Sequence, residues 1–362
     1  MRIPRIIIAA LLSLALAPHT VSAAAAPSAA SCKQIGATKR VASKQYVCSI
    51  SGKKLVWKVK PASKPASSAE SVWQVRNTKT EIVDAATRSF ATWAGTVRSP
   101  QAAVEYRFDT TTPDELREWI PRSVAFIAQR VPPFPAKHPT VSIAATTEEQ
   151  YFSFLKQSYD AEQIAIVKDQ YRLAMESGAG GWTDYFVMIW NLPKWLKTDT
   201  VHSNTYGMQT IGAHEYFHIF QFNANGCDYW CMGTPRQMPM WFIEGGAAFV
   251  QFQAGEAMGY GPYAQGRQKR LDIYKADPRN ARVPLSAVVD GYEVDPYGIG
   301  MAATELLVAK IGMEKYLKII SGLSTSPSFA DSFKTQAGIS LETFYAQFEK
   351  LRGNLDYVRS NG

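Results

Sequence analysis

The sequence predicts an α+β domain preceded by a small β module, and three observations carry that reading. Short β-prone runs and helical stretches are mixed up to about residue 200. From Thr205 onward the apolar spacing is helical throughout, which gives an all-helical second half. Residues 31–60 stand apart, with two of the chain's four cysteines and a cluster of basic residues in a segment too short for a large core. Hydrophobic residues make up 46% of the 362 and charged residues 19%, a globular balance that excludes disordered and collagen-like chains.

The elements follow in chain order. Arg2 and Arg5 precede the run Ile6 to Ala17, in which Ser13 is the only polar residue; Pro18 ends it, and Val21-Ser22-Ala23 offers small residues for cleavage. The pattern predicts a secretory signal peptide over residues 1–23, because the run falls short of the roughly 20 apolar residues of a membrane span. Export to an oxidising compartment makes the cysteines readable as two local couples, Cys32 with Cys48 and Cys227 with Cys231. No His lies near either couple at zinc-finger spacing.

In residues 31–60, Gln45 to Ile50 and Leu55 to Lys60 read as strands joined by a turn at Ser51-Gly52-Lys53. Residues 61–72 form a Pro/Ala/Ser linker, and 73–362 form the large domain. There a helix is expected over 78–93, with Ile82, Val83, Ala86, Phe90 and Trp93 on one side. A strand follows at 103–108, and then a helix to about 130, opened by a capping box at Thr112 to Glu115. A strand at 140–145 precedes a helix capped by Thr146 with Glu149, and a third strand is expected at 185–190. Further helices are expected near 238–254, 297–310 and 340–352.

The formal charge of +8 is unevenly distributed. Eleven of the 39 basic residues fall in residues 1–64 and no acidic residue precedes Glu70, so the rest holds 28 basic against 31 acidic, a net of −3. Two of the eleven belong to the signal and nine to residues 24–64. A nucleic-acid partner is therefore not expected; the nine charges suit either an anionic surface, cell-wall polymer or lipid headgroups, or a soluble basic spacer. The run Gly52 to Trp57 resembles the ending of short two-cysteine modules that precede catalytic domains in some secreted bacterial proteins.

The chemistry concentrates in Ile211 to Gln221, which contains His214-Glu215-Tyr216-Phe217-His218. Residues four apart share a helix face, so both imidazoles can hold one metal ion, and Glu215 is one step round, placed to touch a water. A catalytic zinc typically takes three protein ligands. Glu244, a single carboxylate in the apolar stretch Pro239 to Val250, is the natural third, since a buried carboxylate without a role would be costly.

These motifs resemble the gluzincins, the thermolysin-like and aminopeptidase-like zinc metallopeptidases of the peptidase MA clan, and Pro239 to Ala247 is similar to their second zinc helix. The resemblance covers about residues 100–350. It implies a zincin-like fold, one Zn2+ held by His214, His218 and Glu244, Glu215 as general base, and a peptide or protein substrate. Tyr297, in Tyr297-Gly298-Ile299-Gly300, is similar to a tyrosine that stabilises the oxyanion in related enzymes; Tyr292 is its rival. The chain departs from the pattern in three ways. Glu244 follows His218 by 26 residues, longer than usual, and Cys227 and Cys231 lie in the extra loop. Ala248 stands where thermolysin-like enzymes carry an Asp, so an imidazole's orienting partner has to come from elsewhere. The amine-reading Gly-x-Met-Glu-Asn motif is absent from Gly178 to Asn191, whose glycines read either as room for a peptide backbone beside a strand at 185–190 or as a flexible loop before that strand.

Two function classes remain: a secreted or wall-held zinc peptidase, and a non-catalytic surface-binding protein on a peptidase scaffold. The intact His214, Glu215, His218 and Glu244 favour the first. Substrate specificity, exo- or endo-cleavage and oligomeric state are not legible in the sequence.

Overall fold

A computed structural model describes residues 38–41, 44–51, 54–59, 79–98, 103–136, 138–198, 200–227 and 231–352. The chain divides into two compact units, Met1–Ser68 and Ala69–Gly362.

The first unit contains an antiparallel sheet of β1 (Thr38–Val41), β2 (Lys44–Ser51) and β3 (Lys54–Val59), in that order. The β2–β3 hairpin closes with Ser51 opposite Lys54, where the sequence placed its turn, and β1 adds a strand the sequence did not announce. Cys48 stands opposite Trp57. Cys32, and with it the Cys32–Cys48 bridge, lies outside the described residues, as do the signal peptide at 1–23 and the linker at 61–72.

The second unit is mixed α+β and mostly helical. It opens with α1 (Lys79–Ala94), whose Ile82, Ala86, Phe90 and Trp93 are buried along one stripe as their spacing requires. There follow β4 (Glu105–Phe108), α2 (Asp114–Ala128), β5 (Val141–Ala144) and α3 (Glu148–Leu155). Next come α4 (Ala161–Val167), α5 (Gln170–Ser177), β6 (Gly181–Asp184), β7 (Val187–Trp190), α6 (Leu192–Thr198) and α7 (Thr200–Ser203). The helical half comprises α8 (Thr205–Ala224), α9 (Met240–Ala257), α10 (Tyr263–Ala276), α11 (Pro296–Ile311), α12 (Met313–Gly322), α13 (Phe329–Ala337) and α14 (Leu341–Arg352).

The four strands order as β4-β5-β7-β6, with β4, β5 and β7 parallel and β6 antiparallel at the edge. Alternation along β5 and β7 divides the interior in two. Val141, Ile143, Val187 and Ile189 face a small core with Tyr151, Leu155 and Tyr171 of α3 and α5. Ala144, Met188 and Trp190 face the main core with the long helices.

Three expectations are corrected. The third strand is not a single run over 185–190: residues 181–184 form β6, and Tyr185, at φ 51°, turns the chain into β7. Its shortness hid β6, because four residues that open on Gly181 and close on Asp184 give too little alternation to announce a strand. Thr147, not Thr146, caps α3 by accepting from Gln150 N, because the Thr146 hydroxyl is committed to Asp109 Oδ2 at 3.1 Å. Thr112 does not cap α2, since Pro113 itself occupies the cap position in extended backbone and leaves Thr112 one residue too far out.

Helices α8 and α9 are buried on almost every side, and α9 packs most extensively on α11. Two glycines set that approach: a Cβ at Gly245 would lie 2.1 Å from the carbonyl carbon of Gly300, and one at Gly300 would lie 2.2 Å from Trp241 O. Backbone therefore meets backbone, which draws the second turn of α11 against the first two turns of α9.

Candidate metal centre

The helical register of α8 puts His214 and His218 one turn apart on the same side, and Glu244 reaches them from the second turn of α9. All three are buried. The two Nε2 atoms lie 3.1 Å apart, and Glu244 Oε2 lies 3.4 Å from each. A circle through these atoms has a radius of about 1.9 Å, against bonds of about 2.0–2.2 Å from such atoms to a divalent transition-metal ion. Glu244 Oε2 has no hydrogen-bond donor among the described residues. The set His214, His218 and Glu244 could hold a metal ion, and it is the one such cluster among the described residues. Burial opposes the charge on Glu244, but the imidazoles of His218 and His214 outweigh it and hold the carboxyl well below its usual range.

The partner that orients an imidazole is Gln221, at the end of the stretch in which the sequence concentrates its chemistry. Its Oε1 lies 2.7 Å from His218 Nδ1, three residues back on the same helix. That contact suits an Nδ1–H donor and turns the Nε2 lone pair toward Glu244. The other oxygen of Glu244, Oε1, accepts from the hydroxyl of Tyr292 at 2.7 Å. His214 Nδ1 has no protein partner among the described residues.

Glu215 stays out of this triangle. Its Oε2 accepts from the Thr183 hydroxyl of β6 at 2.6 Å, and the same hydroxyl lies 3.2 Å from the Glu215 carbonyl. On the same face of β6, a Cβ at Gly181 would come within 2.6 Å of Glu215 Oε1. The missing side chain at Gly181 thus makes room for the carboxylate against the edge strand.

Tyr297, in the first turn of α11, stacks on Tyr292 with ring centroids 6.3 Å apart, and its ring lies 5.9 Å from that of His214. Arg270 lies over the outer face of Tyr297 at 4.7 Å. Desolvation at the hydroxyl ends and the nearby Glu244 carboxylate push both phenols well above the ordinary value of 10, so each remains an O–H donor, although the Tyr292 side chain as a whole is 56% exposed.

These groups share a cleft of about 650 Å³, lined by His214, Glu215, His218, Glu244, Tyr292 and Tyr297 together with β6 and the loop after Cys231. The Cys227–Cys231 disulfide is formed, and it fixes the start of that loop. Gln237 then ties the loop to the opposite lip, accepting from Gly233 N at 2.8 Å and donating to Asp290. Every site residue that the sequence singled out in the large domain lies at this cleft or, for the cysteines, beside its wall. Thr183, Gly181 and Gln221 were missed as site residues. The spacing of Gln221 from His218 was its only signal, and Thr183 had none, because β6 itself was not recognised.

No protein-family model, no curated protein and no solved structure matches the chain. No helix among the described residues is long and apolar enough to cross a membrane.

Proposed function

We propose that the protein is a secreted zinc-dependent peptidase whose cleft hydrolyses peptide bonds with Glu215 as general base. The observation that carries this reading is the position of Glu215: its carboxylate lies in the same cleft as the three candidate ligands, takes no part in them, and is held separately by Thr183. Two His and one carboxylate also hold iron(II) in some oxygenases. A spare carboxylate beside the ligands favours hydrolysis, which needs a base at that point.

In this reading His214, His218 and Glu244 hold the ion, which when bound polarises a carbonyl and makes water acidic near neutral pH. Glu215 takes the proton of the attacking water and returns it to the leaving amine. Thr183 occupies Oε2, so Oε1 is the oxygen left to carry that proton. Tyr292 and Tyr297 both stand beside Glu244 in the cleft, and Tyr297, buried beside His214, is the donor assigned to the oxyanion in this reading. The outer edge of β6 beside the cleft suits an extended peptide backbone. Residues 24–64, with nine basic residues and no acidic one, are read as the part that holds the enzyme to an anionic wall or membrane surface. Equal binding to such material without residues 31–60 would remove that part of the proposal.

The decisive experiment combines metal analysis with cleavage of a mixed peptide library by wild type and Glu215→Gln. The expected result is one zinc per chain in both, with cleavage in the variant reduced by at least about a hundredfold. Undiminished cleavage by the variant overturns the peptidase mechanism. Absence of zinc with no cleavage favours a non-catalytic surface-binding protein.

A further inference from the structure

We infer that Gln221 is a positioning residue for the metal site, a single neutral side chain that both orients His218 and registers the helix carrying Glu244. The inference rests on the reading of His214, His218 and Glu244 as ligands. Gln221 is 1% exposed, and both ends of its amide are used. Oε1 lies 2.7 Å from His218 Nδ1, while Nε2 donates across to α9, to Ile243 O at 3.1 Å and Phe242 O at 3.5 Å. Ile243 immediately precedes Glu244, so the amide joins one ligand's ring to the backbone beside another.

The surroundings explain why the amide reaches α9 at all. Gly246 stands one turn beyond Phe242 on α9. A Cβ there would lie 3.6 Å from Gln221 Nε2 and would strike the buried hydroxyl of Tyr316 at 2.0 Å. The bare backbone at Gly246 therefore lets Gln221 and Tyr316 close on α9 from the same side. Asn would be a methylene too short to span both helices, and Glu could accept from His218 but could not donate to a carbonyl.

The two imidazoles are held unequally. His214 Nδ1 has no protein partner among the described residues, whereas His218 Nδ1 meets Gln221 Oε1. Partners of this kind are worth about 10–100-fold in metal affinity. Here the effect has two separable halves, an acceptor for Nδ1–H and a donor to α9.

The test is zinc affinity by chelator competition in the full chain, for wild type, Gln221→Met and Gln221→Glu, with the melting temperature of each metal-free protein recorded alongside. Gln221→Met, matched in volume but without either polar head, is expected to lose about 10–100-fold in affinity. Gln221→Glu restores the acceptor alone and is expected to recover most of that loss. A purely structural role would lower the metal-free melting temperature and leave the affinity of the folded protein unchanged. Gln221→Met binding within about threefold of wild type overturns the inference while leaving the metal site intact. Failure of wild type to bind zinc overturns the metal reading itself. A variant-free measurement guards against loss of folding: in the zinc-loaded wild type the His218 Nδ1 proton should be shifted downfield and slow to exchange. A fast-exchanging proton there overturns the acceptor half.

Discussion

The Thr183 hydroxyl donates to Glu215 Oε2 at 2.6 Å, joining the edge strand β6 to the helix that carries two candidate ligands. Both residues are buried, so the bond is not shared with bulk water and fixes one carboxylate oxygen in place. The cleft thus draws on both halves of the α+β unit: the sheet edge orients Glu215, and the helices carry the candidate ligands.

Replacing Thr183 by Val keeps the shape of the side chain and removes the donor. A hydrogen bond to a charged group is worth about 1.5–3 kcal/mol, which corresponds to a fall of roughly 10–100-fold in kcat if Glu215 is the base. Thr183→Ser should stay within a few-fold of wild type, and zinc content should be unchanged in both. Steady-state kinetics on one peptide decides the matter. Full activity in Thr183→Val would mean that Glu215 is oriented by something other than this bond.

Asp184, the next residue along, gives a pH dependence. It is almost fully buried, one carboxylate oxygen has no partner among the described residues, and burial pushes its carboxyl up to about 7, against hydrogen bonds from the Tyr185 backbone and the Gln170 side chain. The group is neutral in both folded and unfolded chains below about pH 4, so it imposes no cost there. Between about pH 4 and 7 the folded chain holds the proton that the unfolded chain releases, and stability falls as pH rises. Above about 7 the full cost, on the order of 4 kcal/mol, is present. Asp184→Asn should therefore be more stable than wild type at pH 8 and nearly equal to it at pH 4. Urea denaturation at the two pH values reads the difference, and a gain that is the same at both would disprove the titration as its source.

The metal cluster was legible because it uses local arithmetic. His214 and His218 are four residues apart, and Glu244 is a lone carboxylate in an apolar helix, so each signal lies within one element. Gln221 was half legible: its spacing from His218 is local, but its bond to Ile243 O depends on how two helices pack. Thr183 and Gly181 could not be read, because a four-residue edge strand that opens on a glycine and ends on an aspartate is too short to show the alternation that announces a strand. The contact of Tyr292 with Glu244 was likewise out of reach. Tyr292 arrives on an irregular loop between a 3-10 turn and α11, and no periodicity places its hydroxyl on Glu244. The caps at Thr112 and Thr146 were each misplaced by a neighbour's prior commitment, a Pro at the cap in one case and Asp109 in the other.

The contact between α9 and α11 gives the sharpest structural prediction. A methyl group at Gly300 would lie 2.2 Å from Trp241 O and 2.9 Å from the Gly245 Cα, both backbone atoms, so no side chain can rotate away to make space. The helices must separate, and Tyr297, one turn earlier on α11, must move with them relative to Glu244. Gly300→Ala is expected to cost at least about 2–3 kcal/mol in denaturant unfolding, near the upper end for overpacking. Gly259→Ala is the control: its φ is +79° but nothing lies within 4 Å of an added Cβ, so the cost should be only that of the left-handed backbone, about 1 kcal/mol. If the peptidase reading holds, residual folded Gly300→Ala should lose kcat more than KM, because the displaced Tyr297 is needed as charge develops on the oxyanion and not for binding. A Gly300→Ala protein as stable as wild type would show that the helices are not held in backbone contact at this point.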